Sequence, residues 1–565
     1  MEKKKKHRIK ILNVIIAVVL LIVFFIVLFK VGGKLTAKII EKKTDAYLAS
    51  STYTVKLYDL TFKEVDEVIR GAKVILYEYE VKKEIEGEET LIYRKIKYNG
   101  NEYLIDKDNV VLIEEEVVKE VSLFVRTNIT VYTESDKINI LGYVKKGEEV
   151  FISGFDKLNE DGSVLKYKIK YGEKEGYAYS KYLVVTKEEA LTNYDQEGIY
   201  QIHAGRKDTL GGGSGGNLDY FPREAPQFED NIMPEVTKSM YLNGGVLSNI
   251  DGYIALAKKT GINAFVVDVK ENTAPSYPSK VMEEYTKTTY SKAINSWENY
   301  AGAIKKLKES GFYVIGRITT FKDSYYVTDN PNDAITSRST GEPFLHNGST
   351  WPSPYIRRVW EYNVKLAIEA VKEIGFNEIQ FDYVRFTDRT YTIESQGLVD
   401  MRNIYGETKA QAIQNFLMYA CDEIHNAGAY VSADVFGETS NTYVTAYGQY
   451  WPAISNVVDA ISAMPYPDHF SKGQYGLPVP WEQPYTLMKL WSTDASKRQK
   501  ETPTPATSRT WIQAHNSIYD PKIPYGPNEI KAQIQGLNDG GLNGGFMTWL
   551  STSNLSRYEY LSSGW

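Results

Sequence analysis

From Thr237 onward the chain repeats one pattern: a short apolar run, then an amphipathic stretch, then a glycine, then the next apolar run. The apolar runs read "SMYLNGG", "AFVVDVKE", "YVIGRIT", "EIQFDYVRF", "YVSADVFGE", "AISAMPY", "TWIQAHN" and "GGFMTWLS". Between them lie helical patterns such as "IDGYIALAKKTG", "NYAGAIKKLKESG", "IRRVWEYNVKLAIEAVKEIG" and "AIQNFLMYACDEIHNAG". Gly261, Gly311, Gly375 and Gly428 close these helices, where glycine supplies the left-handed residue that ends the last turn. Strands joined by helices pair in parallel through right-handed crossovers. Eight such units over ~250 residues or more predict an α/β fold, the (β/α)8 TIM barrel. A doubly wound open sheet is the rival, but it favours a glycine-rich phosphate loop after the first strand. "LNGGVLSN" lacks the G-x-G-x-x-G spacing.

A barrel carries its chemistry at the C-terminal ends of its strands. Read in order, those ends offer Asp268 and Glu271, then Arg317, then Asp382 and Arg385, then Asp434 and Glu438. Met464, Tyr466 and Asp468 follow on strand six, Trp511, Gln513 and His515 on strand seven, and Trp549 on strand eight. Each has a structural alternative. Asp268 and Glu271 suit helix starts, which favour acids. Arg317 and Arg385 suit counter-ions for buried acids, a role that also fixes an acid's orientation. Tyr466, Trp511 and Trp549 suit packing as well as stacking on sugar rings, and His515 suits hydrogen bonding better than base chemistry. Together these residues fit glycosidic bond cleavage, which needs one protonated and one ionised carboxyl. Acids on adjacent strands, about 4.8 Å apart, can supply such a pair. No H-E-x-x-H or paired-cysteine motif points to metal, and no cofactor is implied.

The N-terminus sets a different constraint. "MEKKKKHRIK" precedes an apolar run, Ile11 to Phe29, and a bilayer crossing takes about 20 apolar residues. Lysines before the run place the N-terminus in the cytoplasm and everything after Lys30 outside. A cleaved signal peptide is the alternative, but its apolar region is shorter and a small-x-small site follows it. Residues 1–34 thus read as a basic start and transmembrane anchor. Cys421, the sole cysteine, excludes an internal disulfide and reads as a core residue of a helix. A net charge of −6, without long basic runs past the N-terminus, argues against nucleic acid as a partner.

Between anchor and barrel the pattern is short β-runs with charged turns, and it repeats weakly. The "KIKY" of Lys95 to Tyr98 matches that of Lys168 to Tyr171, and Gly71 matches Gly147. Residues 117–186, with "VRTNITVYTESDKINILGYVKKGEEV" and "EGYAYSKYL", resemble a bacterial SH3-like barrel, and residues 53–115 resemble a diverged copy. That resemblance implies contact with a cell-wall polymer; a spacer is the alternative. Residues 187–237 read as a linker, flexible at Gly211 to Gly216 by composition.

From about residue 238 to the end, "SMYLNGGVLSN", "NAFVVDVKE", "EIQFDYVRF", "SADVFGE", "SAMPYPDHF" and "GGFMTWLS" together resemble a family of glycoside hydrolases of bacterial surface proteins. The family is a distant relative of the α-amylase-like barrels. The resemblance implies that Asp382, at the end of strand four, is the nucleophile. It implies that the general acid is at the end of strand five, Asp434 or Glu438; Glu438, further out on the loop and able to reach a leaving oxygen, is preferred, with Asp434 second. It leaves Asp268, Glu271, Arg317, Arg385, Tyr466, Trp511, Gln513 and Trp549 as substrate-binding candidates. Strand seven lacks the acid the α-amylase-like clan carries there. The expectation is a membrane-anchored, extracytoplasmic polysaccharide hydrolase; a carbohydrate-binding barrel without turnover and an envelope scaffold are the alternatives.

Overall fold

In the computed structural model, residues 42–86, 89–206 and 210–565 are described, with 18–20 and 23. The apolar run Ile11 to Phe29 lies outside the described residues except at those four positions. Among the described residues, no helix is long and apolar enough to cross a membrane.

The chain forms two units, residues 1–123 with 149–183, and residues 124–148 with 184–565. In the first unit a seven-stranded antiparallel sheet buries Leu48, Val55, Leu57, Ile96 and Ile105. It begins earlier than the expected boundary at residue 53. Lys43–Leu48 pairs with Lys73 to Tyr77 and with Val110–Val111, so a strand that reads as polar on one face joins two distant ones. A second seven-stranded sheet is drawn from strands between Ser122 and Val184. Both "KIKY" segments end a strand of a two-residue hairpin: Tyr98 faces Asn101 and Tyr171 faces Lys174. Buried Arg70 sits between Glu120, 2.9 Å away, and the Gly162 carbonyl, to which its Nε donates at 2.8 Å.

The second unit contains eight parallel barrel strands: β1 (Thr237–Leu242), β2 (Ala264–Glu271), β3 (Tyr313–Thr319), β4 (Glu378–Asp382), β5 (Tyr430–Phe436), β6 (Ala460–Met464), β7 (Thr510–Gln513) and β8 (Gly545–Trp549). Each is followed by a helix: α1 (Ile250–Thr260), α2 (Trp297–Glu309), α3 (Arg357–Glu369), α4 (Lys409–Asn426), α5 (Trp451–Ser455), α6 (Pro484–Lys500), α7 (Pro527–Asp539) and α8 (Leu555–Leu561). The sheet runs β6-β5-β4-β3-β2-β1-β8-β7 and is nearly closed. Closure runs through one broken strand: Thr507–Ser508 pairs with β6, then Thr510–Gln513 pairs with β8. Gly261, Gly311, Gly375 and Gly428 all have positive φ at the helix ends, as the sequence pattern predicts. Cys421 is buried in α4.

The glycine-rich stretch is not a free linker. Gly212 accepts a hydrogen bond from the Ala410 N–H at the start of α4, and the Lys409 Nζ donates to the Gly211 carbonyl at 2.7 Å. A Cβ on Gly212 would fall 2.0 Å from the Thr445 carbonyl oxygen, and one on Gly213 2.6 Å from Thr408. These glycines let backbone press against backbone, a use that composition alone cannot separate from flexibility.

Candidate active site

Inward side chains fill the barrel in layers, as the period-two alternation of each strand requires. Tyr241, Ala264, Val266, Tyr313, Ile315, Tyr430, Tyr466, Trp511 and Met547 form one apolar cluster. At the C-terminal end the layer turns polar around Arg317, on β3, which is 1% exposed. Its Nη1 donates to Asp268 at 2.7 Å and to Glu271 at 2.8 Å; its Nη2 and Nε donate to Asp382 Oδ2 at 2.6 and 3.1 Å. One guanidinium thus holds three carboxylates. Its face lies 5.4 Å from the Trp549 ring centre and 5.8 Å from that of Tyr241, whose hydroxyl donates to Asp268 at 2.5 Å.

Asp382 is the last residue of β4 and is held on both oxygens. Arg317 takes Oδ2, and the N–H of the next residue, Tyr383, donates to Oδ1 at 2.6 Å. That second contact requires Tyr383 to turn left-handed, at φ 48°. A non-glycine residue in that region stores roughly 1–3 kcal/mol of strain, and such strain gathers at functional sites. The partner of Asp382 is therefore Arg317 and not Arg385. Arg385 bonds Asp388 at 3.0 Å and the Phe386 carbonyl, and lies against the faces of Phe436 and Tyr383. The chain turns at Tyr383, so Arg385 leaves the β4 alternation and points away from its acid.

Asp434 occupies the next strand at the matching level, since Phe381 pairs with Ala433 in the β4–β5 register. It is 1% exposed; Trp511 Nε1 donates to its Oδ1 at 2.8 Å, and its Oδ2 has no hydrogen-bond partner. Burial, reinforced by the nearby Asp382 charge, pushes its carboxyl well above the usual carboxylate range. Two acids side by side do not both ionise cheaply, and the arginine decides which one does. Burial likewise raises Asp268 to about 6, against the pull of Arg317. Burial also pushes Glu271 up, but Arg317 and the Asn272 N–H outweigh it and hold it below its ordinary value.

Glu438 lies beyond β5 on a short helical turn, exposed, with the Tyr443 and Tyr447 hydroxyls donating to its two oxygens at 3.0 and 2.7 Å. It lines a cavity of about 590 Å³ with Phe436, Tyr443, Met464 and Tyr475. Tyr466 stacks on Trp549 at 6.4 Å, and Tyr241 meets the same ring at 4.6 Å, so the aromatics expected at the mouth converge. Gln513, fully buried, accepts from the Asp468 N–H and so ties β7 to the β6 loop. His515 faces Asp468 at 3.4 Å. Sequence reasoning did not single out Tyr241 or Tyr383. Tyr241 stands one residue before the end of β1 and faces inward, a position the barrel alternation could have flagged; nothing local signals the Tyr383 turn.

The C-terminal ends of the barrel strands thus gather several carboxylates around one arginine. The chain belongs to the family DUF4015, described as "Putative glycosyl hydrolase domain", whose profile matches residues 239–555. None of the curated proteins compared is similar in sequence. Among solved structures, a hypothetical protein from Ruminiclostridium thermocellum is 32% identical, with 35% of this chain and 97% of that one covered and a TM-score of 0.29. The PgaB (BpsB) glycoside hydrolase domain from Bordetella bronchiseptica is 14% identical, covering 58% of this chain and 99% of that one, with a TM-score of 0.43. The spore cortex-lytic enzyme SleL of Bacillus megaterium is 10% identical, covering 59% and 75%, with a TM-score of 0.36.

Proposed function

We propose that this protein is a membrane-anchored, outward-facing glycoside hydrolase that cleaves a polysaccharide of the cell envelope or its surroundings. The observation that carries the reading is Asp382, fixed on both oxygens at the end of β4 and bound to Arg317. An acid so held is fixed in direction, which is what attack on an anomeric carbon or activation of water requires. Glu438 is the acid in this reading: it protonates the glycosidic oxygen as the bond from that oxygen to the anomeric carbon breaks. Its two tyrosine hydroxyls hold it in place beside an open cavity. Asp434 stays the buried, neutral neighbour. Trp549, partly exposed and backed by Tyr241 and Tyr466, provides a ring face for sugar C–H groups, and membership of the hydrolase family supports the same chemistry. The lysine-flanked run Ile11 to Phe29 is the anchor, and the repeated β-modules before the barrel are SH3-like contacts for a wall polymer.

A second reading, a binding barrel without turnover, is favoured by one observation: β7 offers Trp511 and Gln513 but no acid. A panel of wall and extracellular polysaccharides separates the two. Hydrolysis gives new reducing ends; retention on the polymer without new ends supports binding alone. Protease added to intact cells tests the topology, and full protection of the barrel contradicts it.

A further inference from the structure

The cavity beside Glu438 is walled by the turn after β5, the loop after β6 and α6. Its chemistry is one-sided. Phe470, Tyr443 and Tyr475 supply rings, and Ser440, Asn441 and Gln474 supply uncharged polar groups. Two acids line its wall: Glu438, and Asp494, which Lys497 binds at 2.9 Å. His469 also lines the space, its imidazole held below its ordinary pKa by desolvation. Among the described residues, no lysine or arginine lines the space. Tyr475 is also held at φ 55°, between Gly473 at 84° and Gly476 at 74°. The chain bends three times in four residues and so presents this ring, with Phe470 6.0 Å away. Aromatic faces with neutral amides and hydroxyls suit a sugar ring, while an anionic sugar loses its hydration there with no lysine or arginine on the wall to offset it.

We propose that this cavity is the subsite for the sugar on the leaving-group side of the cleaved bond, and that it takes an uncharged hexose unit, N-acetylated or not, in preference to an anionic one. The assignment of side rests on the role given to Glu438; the sugar class rests on the wall. A polymer of uronic acids or a phosphate-bearing one meets no lysine or arginine among the described lining residues; Lys497 is engaged by Asp494.

The test uses full-length protein carrying Asp382→Asn, so that binding is read without turnover. Calorimetry measures three probes: the trisaccharides of glucose and of N-acetylglucosamine, and the trisaccharide of galacturonic acid. The expected result is binding of at least one neutral probe, weakened about tenfold or more by Tyr475→Ala, and at least about tenfold weaker binding of the galacturonate. Gln474→Lys, at an exposed position, should narrow that preference without touching the fold. Equal or tighter binding of the galacturonate, no binding of either neutral probe, or binding unmoved by both wall substitutions would overturn the proposal. Failure of the hydrolase reading shows separately, as no reducing ends from the unmutated protein while neutral probes still bind.

Discussion

Two of the barrel's buried arginines, Arg509 and Arg317, lie toward opposite ends and are arranged differently. Toward the N-terminal ends of the strands, Arg509 meets a single acid: its Nη2 lies 2.8 and 2.7 Å from the two oxygens of Glu378, and both side chains are fully buried. The Tyr313 hydroxyl donates to Glu378 at 2.9 Å, and the charges cancel. Toward the C-terminal ends, Arg317 meets Asp268, Glu271 and Asp382, with Asp434 alongside. There the acids outnumber the cation. A balanced, sealed pair serves the packing of the barrel. An unbalanced cluster is costly to hold unless it opens to something, and it also pushes neighbouring carboxyls apart in pKa, the condition for acid and base roles in one site.

Exchanging the two arginines for methionine should expose the difference. Arg317→Met removes the guanidinium that holds Asp382 in place; turnover should fall on the order of 10³-fold or more, read at saturating polysaccharide. Glu438→Gln comes next, with a loss on the order of 10²–10⁴-fold in turnover and little change in binding. Arg509→Met should act on stability instead, costing about 3–5 kcal/mol by urea unfolding because Glu378 is left buried and unpaired. Turnover per folded molecule should stay within about twofold. The double change Arg509→Met with Glu378→Met should recover most of the lost stability. A loss of turnover equal to that of Arg317→Met would erase the contrast between the two ends.

Asp268 sharpens the comparison through pH. Its folded pKa, about 6, lies above the ordinary value of about 3.9, so the folded protein holds this proton more tightly. Its contribution to stability is full below about pH 4 and is lost as pH rises through about 6. Asp268→Asn should therefore remove a downward slope in stability between about pH 4 and 6, seen as the difference between urea midpoints of the two proteins across that window. A difference that does not vary with pH would contradict the raised value. Smallest of all is Asp434→Asn. The amide matches a neutral acid and can still accept from Trp511, so turnover should fall far less than in Glu438→Gln. A loss as deep as that would show that Asp434 acts as an ionised group.

Much of this was legible in the sequence because the signals are local. Gly261, Gly311, Gly375 and Gly428 mark helix ends by conformational need, and strand alternation places Asp382 and Asp434 inward on neighbouring strands. The parts that were not legible depend on register and on turns. Arg385 follows Asp382 closely in sequence, yet the left-handed turn at Tyr383 swings it away, while Arg317 reaches the acid from another strand. Arg509 and Glu378 lie 131 residues apart, and only the layering of the barrel brings them together. The strand Lys43–Leu48 alternates too weakly to announce itself, and the glycines at 211–216 declare their close packing only against Thr408 and Thr445.

The unbalanced end of the barrel is proposed to perform the chemistry through Asp382, held by Arg317. The most direct test is the release of reducing ends from whichever polysaccharide the unmutated protein cleaves, measured side by side with Asp382→Asn. The asparagine keeps the shape and a hydrogen-bonding oxygen for Arg317 but removes the charge. The account predicts that turnover disappears while binding to the polymer stays within a few-fold; turnover equal to that of the unmutated protein would contradict it.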